Sequence, residues 1–400
     1  MAGRPRLWSR AGSVSPYNSA SGSTSPEPGE RHMEPSSAPP EPRANPDLAG
    51  QDAAGAVLAR ALRSGRLPHG WLFTGPEGVG KATLAYRFAR ALLAGPEAAG
   101  PMLSLRPDHP VFRQVAQGAH PDLTVIEPER DTKTGRLKAE IPVARVRAAT
   151  QALHATAAMG GWRLVVIDGA ERLNRNAANA LLKVLEEPPR AAALLLISHR
   201  PAQVAPTVRS RCAKLPLARL PDALVIDRLA RWAPGLEAQQ RSAIALLARG
   251  SLGRALQLAG EDWLPLYRRL VDGLDGTVKA RPGLYDLAIA LAQLGEQRGF
   301  TRPLFLIQEL LGRIVARGSG RLGPALFATE PAALDRLVQR RALVRWATLW
   351  EKVGQLAAAV DGLNLDRAQA LLHILTLLAP DPNPDEVHTG ASLGALDVLG

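Results

Sequence analysis

The chain has 400 residues, of which 46% are hydrophobic, so it can bury the cores of about two or three domains and is not a peptide or a fibre. A formal net charge of +12 favours an anionic partner such as nucleic acid, although arginines spread along the chain give the same total through composition alone. The single cysteine, Cys212, excludes a disulfide framework within the chain and a zinc site made of several cysteines, and no apolar run approaches the roughly 20 residues of a membrane helix, so we expect a soluble, cytoplasmic protein.

The N-terminal segment of residues 1–45 is rich in Pro, Ser and Gly and has almost no aliphatic side chains, so we expect it to be disordered. Met33 lies within this extension, which leads to the hypothesis that translation starts there and that residues 1–32 are a start-site artefact. The intact mass of the native protein tests the hypothesis, because a mass that includes residues 1–32 would exclude it.

A glycine-rich loop follows the first apolar strand. After an amphipathic helix from Asp52 to Arg63, the strand Trp71–Phe73 leads into this loop, and a second helix runs from Thr83 to Leu93. The loop has the spacing G-x-x-x-x-G-K, and its candidate nucleotide-binding residues are Gly75, Gly78, Gly80, Lys81 and Thr83. Backbone N–H groups of such a loop point at phosphate oxygens, and the lysine adds a positive charge, so the pattern predicts a phosphate loop. The alternative is a glycine-rich turn without a ligand.

The loop departs from the pattern at the residue after the lysine. A hydroxyl is expected there to hold Mg²⁺, but this sequence has Ala82. Thr83 comes one residue later, about 100° further round the helix, so it does not replace the missing hydroxyl without a shift of the loop.

A buried strand with a carboxylate at its carboxyl end is predicted at Leu164–Ile167, where the apolar run stops at Asp168. Ligands of open α/β sheets bind at that end, so Asp168 occupies the position of a Walker B aspartate. Related ATPases place a glutamate at the next position, but here it is Gly169, and we expect Glu171 to point elsewhere. The missing hydroxyl at Ala82 and the missing carboxylate at Gly169 together predict a nucleotide fold that hydrolyses ATP poorly or not at all.

A helix and a second strand complete a βαβ unit after Asp168. Asn174 or Asn176 can cap the helix, a leucine stripe follows, and Pro188 stops it before the strand Leu194–Ile197. A strand, a helix and a strand within so short a span predict a parallel sheet.

The intervening loops give weaker signals. Residues 95–121 are expected to be irregular, Leu123–Ile126 to form a short strand, and Val143–Ala157 to form a helix. The side chains considered as metal ligands were Asp108, His109 and His120. Because they lack cysteine partners and regular spacing, we interpret them as surface loop residues and predict no metal site.

Helical patterns replace strand patterns from Leu217 onward. The predicted helices are Pro221–Ala230, Glu237–Ala248, Leu304–Val315, Leu334–Val360 and Asp366–Leu378, with a further helical stretch through Gly250–Leu256. Trp346 and Trp350, spaced i and i+4, are more typical of a core or an interface than of a base-stacking platform.

Two tracts carry a resemblance to a known family. These tracts are Asn179–Pro189, reading Asn-Ala-Leu-Leu-Lys-Val-Leu-Glu-Glu-Pro-Pro, and Ser210-Arg211-Cys212. Together they resemble clamp-loader subunits of the AAA+ superfamily. The segments that begin at His69, Gly118 and Asn364 are more similar to the δ′ family of bacterial DNA polymerase III than to its ATPase sisters.

The resemblance implies a RecA-like α/β domain, a small helical lid and an all-helical collar. We place them at residues 46–216, 217–280 and 281–380, with a loose tail over 381–400. It also implies a five-subunit ring with γ/τ and δ subunits, which loads the β clamp onto primed DNA within the DNA polymerase III holoenzyme, a DNA-directed DNA polymerase. Many δ′ proteins have a four-cysteine zinc module in the loop at residues 95–121, and the lack of cysteines there implies that no zinc binds.

The resemblance also assigns roles to individual residues. Arg211 matches an arginine finger that reaches the ATP site of a neighbouring subunit, Ser198 and His199 match sensor 1, and Arg254 matches sensor 2. Taken alone, the arginines around Arg211 are more typical of a solvated face. Arg175 and Lys183 are candidates for DNA contact, and the alternative is that they belong to a solvated surface.

Three functions stay open at this point. The first is a scaffold subunit that has no ATPase activity of its own and supplies Arg211 to a neighbour, with no nucleotide or with ATP or ADP held without turnover. The second is an active γ/τ-type ATPase in which Thr83 and Glu171 replace the missing groups. The third, a stand-alone AAA+ DNA-binding protein, is disfavoured by collar helices whose apolar faces require partners.

Overall fold

A computed structural model describes residues 39–129, 138, 140–260, 263–275, 281–296, 301–321, 323–360 and 367–378. Residues 1–38 of the segment predicted to be disordered, residues 130–137 and the tail from residue 379 lie outside the described residues. The predicted disorder is wrong for the end of that segment, because the carbonyls of Arg43 and Asn45 accept hydrogen bonds from the buried Arg90 at 2.8 Å.

The first half of the chain is built on a sheet of five parallel strands. The strands are β1 Gly70–Thr74, β2 Leu123–Ile126, β3 Arg163–Asp168, β4 Ala192–Ser198 and β5 Ala213–Pro216. Their order across the sheet is β2-β3-β4-β1-β5, so that β4 lies between β1 and β3. The predicted parallel sheet is therefore confirmed, with each predicted strand in place.

The edge strand β5 was not predicted from the sequence. It pairs with β1 from Trp71↔Ala213 to Thr74↔Pro216. Only Leu215 of its four residues is buried, so the short run has neither the continuous apolar character of β4 nor a long alternation. A proline is tolerated at this edge because no further strand has to accept a hydrogen bond from it.

Helices cover both faces of the sheet. On one face α1 (Asp52–Ser64) and α2 (Lys81–Ala94) share a hydrophobic cluster with the strands, and on the other face α4 (Val143–His154) and α5 (Arg175–Glu186) do so. The side chain of Asn174 accepts a hydrogen bond from the Ala177 N–H, which confirms one of the two predicted caps of α5.

The segment 95–121 is less irregular than the sequence suggested, because it contains α3 (Pro110–Ala116). Pro110 occupies the first turn of this helix, and the Nδ1 atom of His109 accepts a hydrogen bond from the Val111 N–H. Only Phe112 and Val115 of the seven helical residues are buried, too few to produce a visible periodicity.

The second half of the described chain is helical. Its helices, after the one-turn α6 (Pro206–Arg209), are α7 Asp222–Trp232, α8 Ala238–Ala248, α9 Leu252–Ala259, α10 Trp263–Asp275, α11 Arg281–Glu296, α12 Thr301–Gly318, α13 Glu330–Arg340, α14 Leu343–Val360 and α15 Arg367–Leu378. One hydrophobic cluster extends through them from Leu220 to Leu378. None of the helices in the described residues is long and apolar enough to cross a membrane.

The predicted continuous helix Leu334–Val360 is wrong, because the chain breaks between α13 and α14. Arg341 has extended backbone angles, φ −142° and ψ 150°. The break lets the Nε1 atom of Trp346 donate to the Leu337 carbonyl at 3.2 Å, and Trp346 is buried, whereas Trp350 remains 44% exposed.

The predicted boundaries at residues 216/217 and 280/281 stay predictions. Helix α10, which falls before the second boundary, packs against α11 and α13 of the following region. Its last residue, Asp275, is paired with Arg336 of α13 at 2.6 Å.

Candidate functional site

The glycine-rich loop connects the end of β1 to the start of α2, as the phosphate-loop pattern predicted. Gly75 has φ +143°, and a Cβ atom there would lie 2.4 Å from the Leu217 carbonyl oxygen. Gly78 has φ +74°, and its Cβ would lie 2.4 Å from the Ser251 hydroxyl. Both positions therefore require glycine, for backbone conformation and for space.

The lysine of the loop is turned onto the loop itself. Lys81 is 3% exposed, and its ammonium group donates to the carbonyl oxygens of Gly75 at 2.7 Å and Pro76 at 2.5 Å. Burial lowers the pKa of Lys81 to about 8, and the carboxylates of Asp168, Glu77 and Glu171 oppose that shift. The positive charge of Lys81, which the sequence pattern predicts to bind a phosphate group, thus interacts with carbonyl oxygens of the loop itself.

The N-terminus of α9 lies directly against the same loop. The Ser251 hydroxyl donates to the Glu77 carbonyl at 2.8 Å, and the Gly253 N–H donates to the Gly78 carbonyl at 2.9 Å. A Cβ atom on Gly253 would lie 2.8 Å from the Gly78 Cα. This close approach of two backbones holds the helical region on the loop.

Arg254, the residue matched to sensor 2, lies over an aromatic ring of α12. Its guanidinium carbon lies 4.7 Å from the centre of the Phe305 ring of α12, a cation–π distance. Burial lowers the pKa of Arg254, and Glu77 opposes the shift. The arginine thus connects α9 to α12, and none of its hydrogen bonds reaches the loop among the described residues.

Three polar side chains meet at the carboxyl ends of β3 and β4. The His199 Nε2 atom lies 4.0 Å from Asp168 Oδ1, and Glu171 Oε1 accepts from the His199 N–H at 3.4 Å. The expectation that Glu171 points elsewhere is wrong, because the short helical turn Ala170–Arg172 brings the glutamate back over the strand ends. Burial raises the pKa of Asp168, and His199 opposes the shift.

The same edge contains partners that were not predicted from the sequence. Glu127, which directly follows β2, accepts a hydrogen bond from the Tyr86 hydroxyl at 3.0 Å, and burial raises the pKa of Tyr86. A carboxylate at the end of an apolar strand was the signal that identified Asp168, and it would also have identified Glu127. Ser198 is fully buried, and its hydroxyl accepts from the Arg200 N–H at 3.2 Å, a local role.

Gly169, where the sequence comparison with ATPases led us to expect a glutamate, has a left-handed backbone conformation. Gly169 adopts φ +76° and ψ 46°, and a Cβ atom would lie 3.2 Å from Pro128 Cγ. Ala82 packs against the hydrophobic cluster under the sheet, and Thr83 is half-buried on α2.

The residue after Lys81 is Ala82, which has no side-chain oxygen that could bind Mg²⁺. In the described part of the chain, no group of three or more His, Cys, Asp or Glu side chains is placed to hold a metal ion. Buried atoms without a hydrogen-bond partner in that part include Asp168 Oδ1, Glu171 Oε2 and His199 Nδ1. These side chains at the strand ends can therefore form further hydrogen bonds.

The loop residues considered as metal ligands have structural partners. Asp108 is paired with Arg106 at 2.7 Å, and His109 caps α3. The His120 Nδ1 atom accepts from the Asp122 N–H at 3.2 Å, and the Asp122 carboxylate in turn accepts from the backbone of Ala158 at 2.7 Å.

Arg211 lies at the surface just after α6. It is distant from the phosphate loop along the chain, and in space it lies beside the C-terminal end of α5. Its Nη2 atom is 2.7 Å from Glu186 Oε1, and its Nη1 atom donates to the Thr207 carbonyl at 3.1 Å. The side chain is 39% exposed. The next residue, Cys212, is buried, and burial raises its pKa to about 12, so the thiol is unreactive.

The two candidates for DNA contact, Arg175 and Lys183, are exposed residues of α5. Neither forms an ion pair with another described residue, so both charges are available to solvent or to a partner. Arg175 begins the helix and Lys183 lies in its last turn, and the structure does not bring either of them to the phosphate loop.

The chain is similar in sequence to known subunits of DNA polymerase III. Residues 50–221 match the family model described as DNA polymerase III, delta subunit. The chain is 36% identical over 221 residues to the DNA polymerase III subunit delta' of Pseudomonas aeruginosa. The match covers 55% of this chain and 64% of that relative, so the chain spans less than two thirds of the relative's length. It is 34% identical over 303 residues to the DNA polymerase III subunit delta' of Yersinia pestis, covering 74% of this chain and 83% of the relative.

A solved structure also aligns with the chain. It is a DNA polymerase III gamma subunit-related protein from Thermotoga maritima, with 20% identity and a TM-score of 0.37, covering 81% of this chain and 98% of that one.

Proposed function

Because the chain belongs to the DNA polymerase III delta' subunit family, we propose that it is a clamp-loader subunit that helps to load the β clamp onto primed DNA without hydrolysing ATP itself. In this proposal its contribution to the reaction is Arg211, supplied to the ATP site of a neighbouring γ/τ subunit. The chain would then contribute by positioning Arg211 and not by hydrolysing ATP.

The observation that carries the proposal is the state of the phosphate loop. Lys81 donates to two carbonyl oxygens of its own loop, and the N-terminus of α9 is bonded to two further carbonyls, those of Glu77 and Gly78. In an ATPase the lysine binds phosphate oxygens and a hydroxyl after it holds Mg²⁺, and here Ala82 cannot do so. These contacts support a loop that stabilises the subunit instead of turning over a nucleotide.

The proposed role of Arg211 rests on its exposure and its donors. A guanidinium group presents five N–H donors in a rigid fork that matches phosphate oxygens. Placed beside the γ-phosphate of a neighbour, it would stabilise the charge that develops on the transferred phosphoryl group, an effect worth about 10³-fold or more in rate. A surface position after a one-turn helix is compatible with reaching another subunit.

The proposed partners are the γ/τ and δ subunits in a five-subunit ring, with the β clamp and primed DNA as the objects of the reaction. Arg175 and Lys183 are free of ion pairs in the described residues and could contact the phosphate backbone, which would make the binding of DNA dependent on salt. The expected location is the cytoplasm.

The test is steady-state ATP hydrolysis at saturating β clamp and primed DNA. The chain is assayed alone and then mixed with γ/τ and δ subunits, as wild type and as Arg211→Ala. We expect no hydrolysis by the chain alone and a loss of activity of the complex on Arg211→Ala. Robust turnover by the isolated chain would contradict the proposal.

One observation favours the second function, an active γ/τ-type ATPase. Glu171 lies beside His199 at the strand ends, where a carboxylate could act on a water molecule. The same isolated-chain assay with Glu171→Gln separates the two functions, because only an active ATPase would lose turnover in that variant.

A further inference from the structure

We propose that Glu186 is a positioning residue for Arg211, and that it holds the guanidinium group in the orientation from which it reaches a neighbouring ATP site. This inference rests on the proposed function, because it assumes that Arg211 acts in trans. It adds a second residue of the chain to that action.

The geometry joins the two tracts that carry the family resemblance. Glu186 is the last residue of α5, and its carboxylate lies 2.7 Å from Arg211 Nη2. The Thr207 carbonyl of α6 accepts from Nη1 at 3.1 Å, so the guanidinium is held from two sides. Helices α5 and α6 also pack against each other. The sequence alone gives no sign that the two tracts meet through this pair.

Both ends of the ion pair are attached to rigid parts of the domain. Beside Glu186, the side chain of Leu185 is buried and its carbonyl is 2.7 Å from His69 Nε2. Beside Arg211, Cys212 is buried and β5 starts at the following residue. A pair that connects two fixed backbone points can define the direction of a long side chain.

The pair leaves the arginine able to bind an anion. Of the five N–H donors of the guanidinium, one donates to the Thr207 carbonyl, and Nη2 forms the ion pair with Glu186, so further donors remain for a phosphate group. Because an arginine side chain loses much rotamer freedom when it is fixed, prior ordering by Glu186 lowers the entropic cost of engaging the neighbour.

Stability is a poor explanation for the pair. The side chains are 39% and 50% exposed, and ion pairs with such exposure contribute little to the free energy of unfolding. The adjacent Glu187 supplies a matched control, because it is also exposed and forms no ion pair with another described residue.

The experiment is a double-mutant cycle on ATP hydrolysis by the reconstituted complex with β clamp and primed DNA. The variants are Glu186→Ala, Glu186→Gln, Arg211→Ala, the double variant Glu186→Ala/Arg211→Ala and the control Glu187→Ala. Thermal unfolding of each chain and gel filtration of each complex verify folding and assembly.

We expect Glu186→Ala to lower kcat by about three- to tenfold with little change in KM for ATP, since a less ordered arginine weakens the transition state and not the binding of ATP. Glu186→Gln, which keeps an oxygen acceptor, should lose less. Glu187→Ala should match the wild type. In the Arg211→Ala background, Glu186→Ala should have no further effect, because its action passes through the arginine.

Three outcomes would overturn the inference, and the third can be told apart from the first two. If Arg211→Ala lowers the activity but Glu186→Ala does not, or if Glu186→Ala costs as much without the arginine as with it, Glu186 does not position Arg211 and the proposed function stands. If Arg211→Ala keeps full activity, the arginine finger itself fails, and the inference fails with it.

Discussion

The carboxylate of Glu330 holds together the C-terminal helices, and its removal should be costly. Glu330 is fully buried and accepts hydrogen bonds from the Tyr267 hydroxyl at 3.1 Å and from Arg313 Nε and Nη2 at 2.7 and 2.8 Å. It also accepts from the Leu326 N–H at 2.6 Å. These contacts connect α10, α12 and the segment before α13.

Glu330→Ala would leave the guanidinium of Arg313, which is 7% exposed, in the interior without its carboxylate. Breaking a buried pair by removing one partner costs about 3–5 kcal/mol, so we expect a loss of that size in the free energy of unfolding. The matched control is Asp335→Ala, which removes the exposed partner of Arg317 and should cost much less stability than Glu330→Ala.

The assay is denaturant unfolding of both variants, followed by far-ultraviolet circular dichroism. A cost below about 1 kcal/mol for Glu330→Ala, or equal costs for the two variants, would refute the reasoning, because the burial of the ion pair would then make no difference.

Further predictions concern the phosphate loop. Because burial lowers the pKa of Lys81 from 10.5 to about 8, the unfolded chain binds more protons at this residue between these values, so the contribution of Lys81 to the free energy of unfolding should rise with pH through that window. In pH-dependent denaturation, the difference between the wild type and Lys81→Met should therefore increase with pH there, and a constant difference would contradict this. Gly78→Ala should cost more stability than Gly160→Ala by roughly 1 kcal/mol or more, since both have positive φ, +74° and +71°, but only Gly78 meets the Ser251 hydroxyl; equal thermal shifts would contradict this. Gly169→Glu together with Ala82→Thr should produce no ATP hydrolysis by the isolated chain, because Gly169 has φ +76° and Lys81 remains bonded to the loop; measurable turnover would exclude that explanation.

The sequence was sufficient for features that depend on local patterns. The spacing from Gly75 to Lys81 predicted a phosphate loop, and the apolar run before Asp168 predicted a central strand with a carboxylate at its end. The missing hydroxyl at Ala82 and the missing carboxylate at Gly169 can be recognised from the residue types alone. Strand β5 was missed because only Leu215 in it is buried.

Other features depend on contacts between distant residues and could not be predicted. The approach of Gly253 to Gly78 joins residues far apart in the chain, and no local pattern encodes it. Glu171 was misplaced because its separation of three residues from Asp168 does not reveal the short helical turn Ala170–Arg172. The break after Arg340 was hidden because leucines continue on both sides of it.

The central claim is that this subunit acts through Arg211 on a neighbour and not through its own phosphate loop. The most direct measurement compares ATP hydrolysis by the reconstituted clamp-loader complex containing wild-type chain, Arg211→Ala or Lys81→Met, with β clamp and primed DNA present. The account predicts a loss on the order of 10-fold or more for Arg211→Ala and wild-type turnover for Lys81→Met. Full activity with Arg211→Ala, or a comparable loss with Lys81→Met, would contradict it.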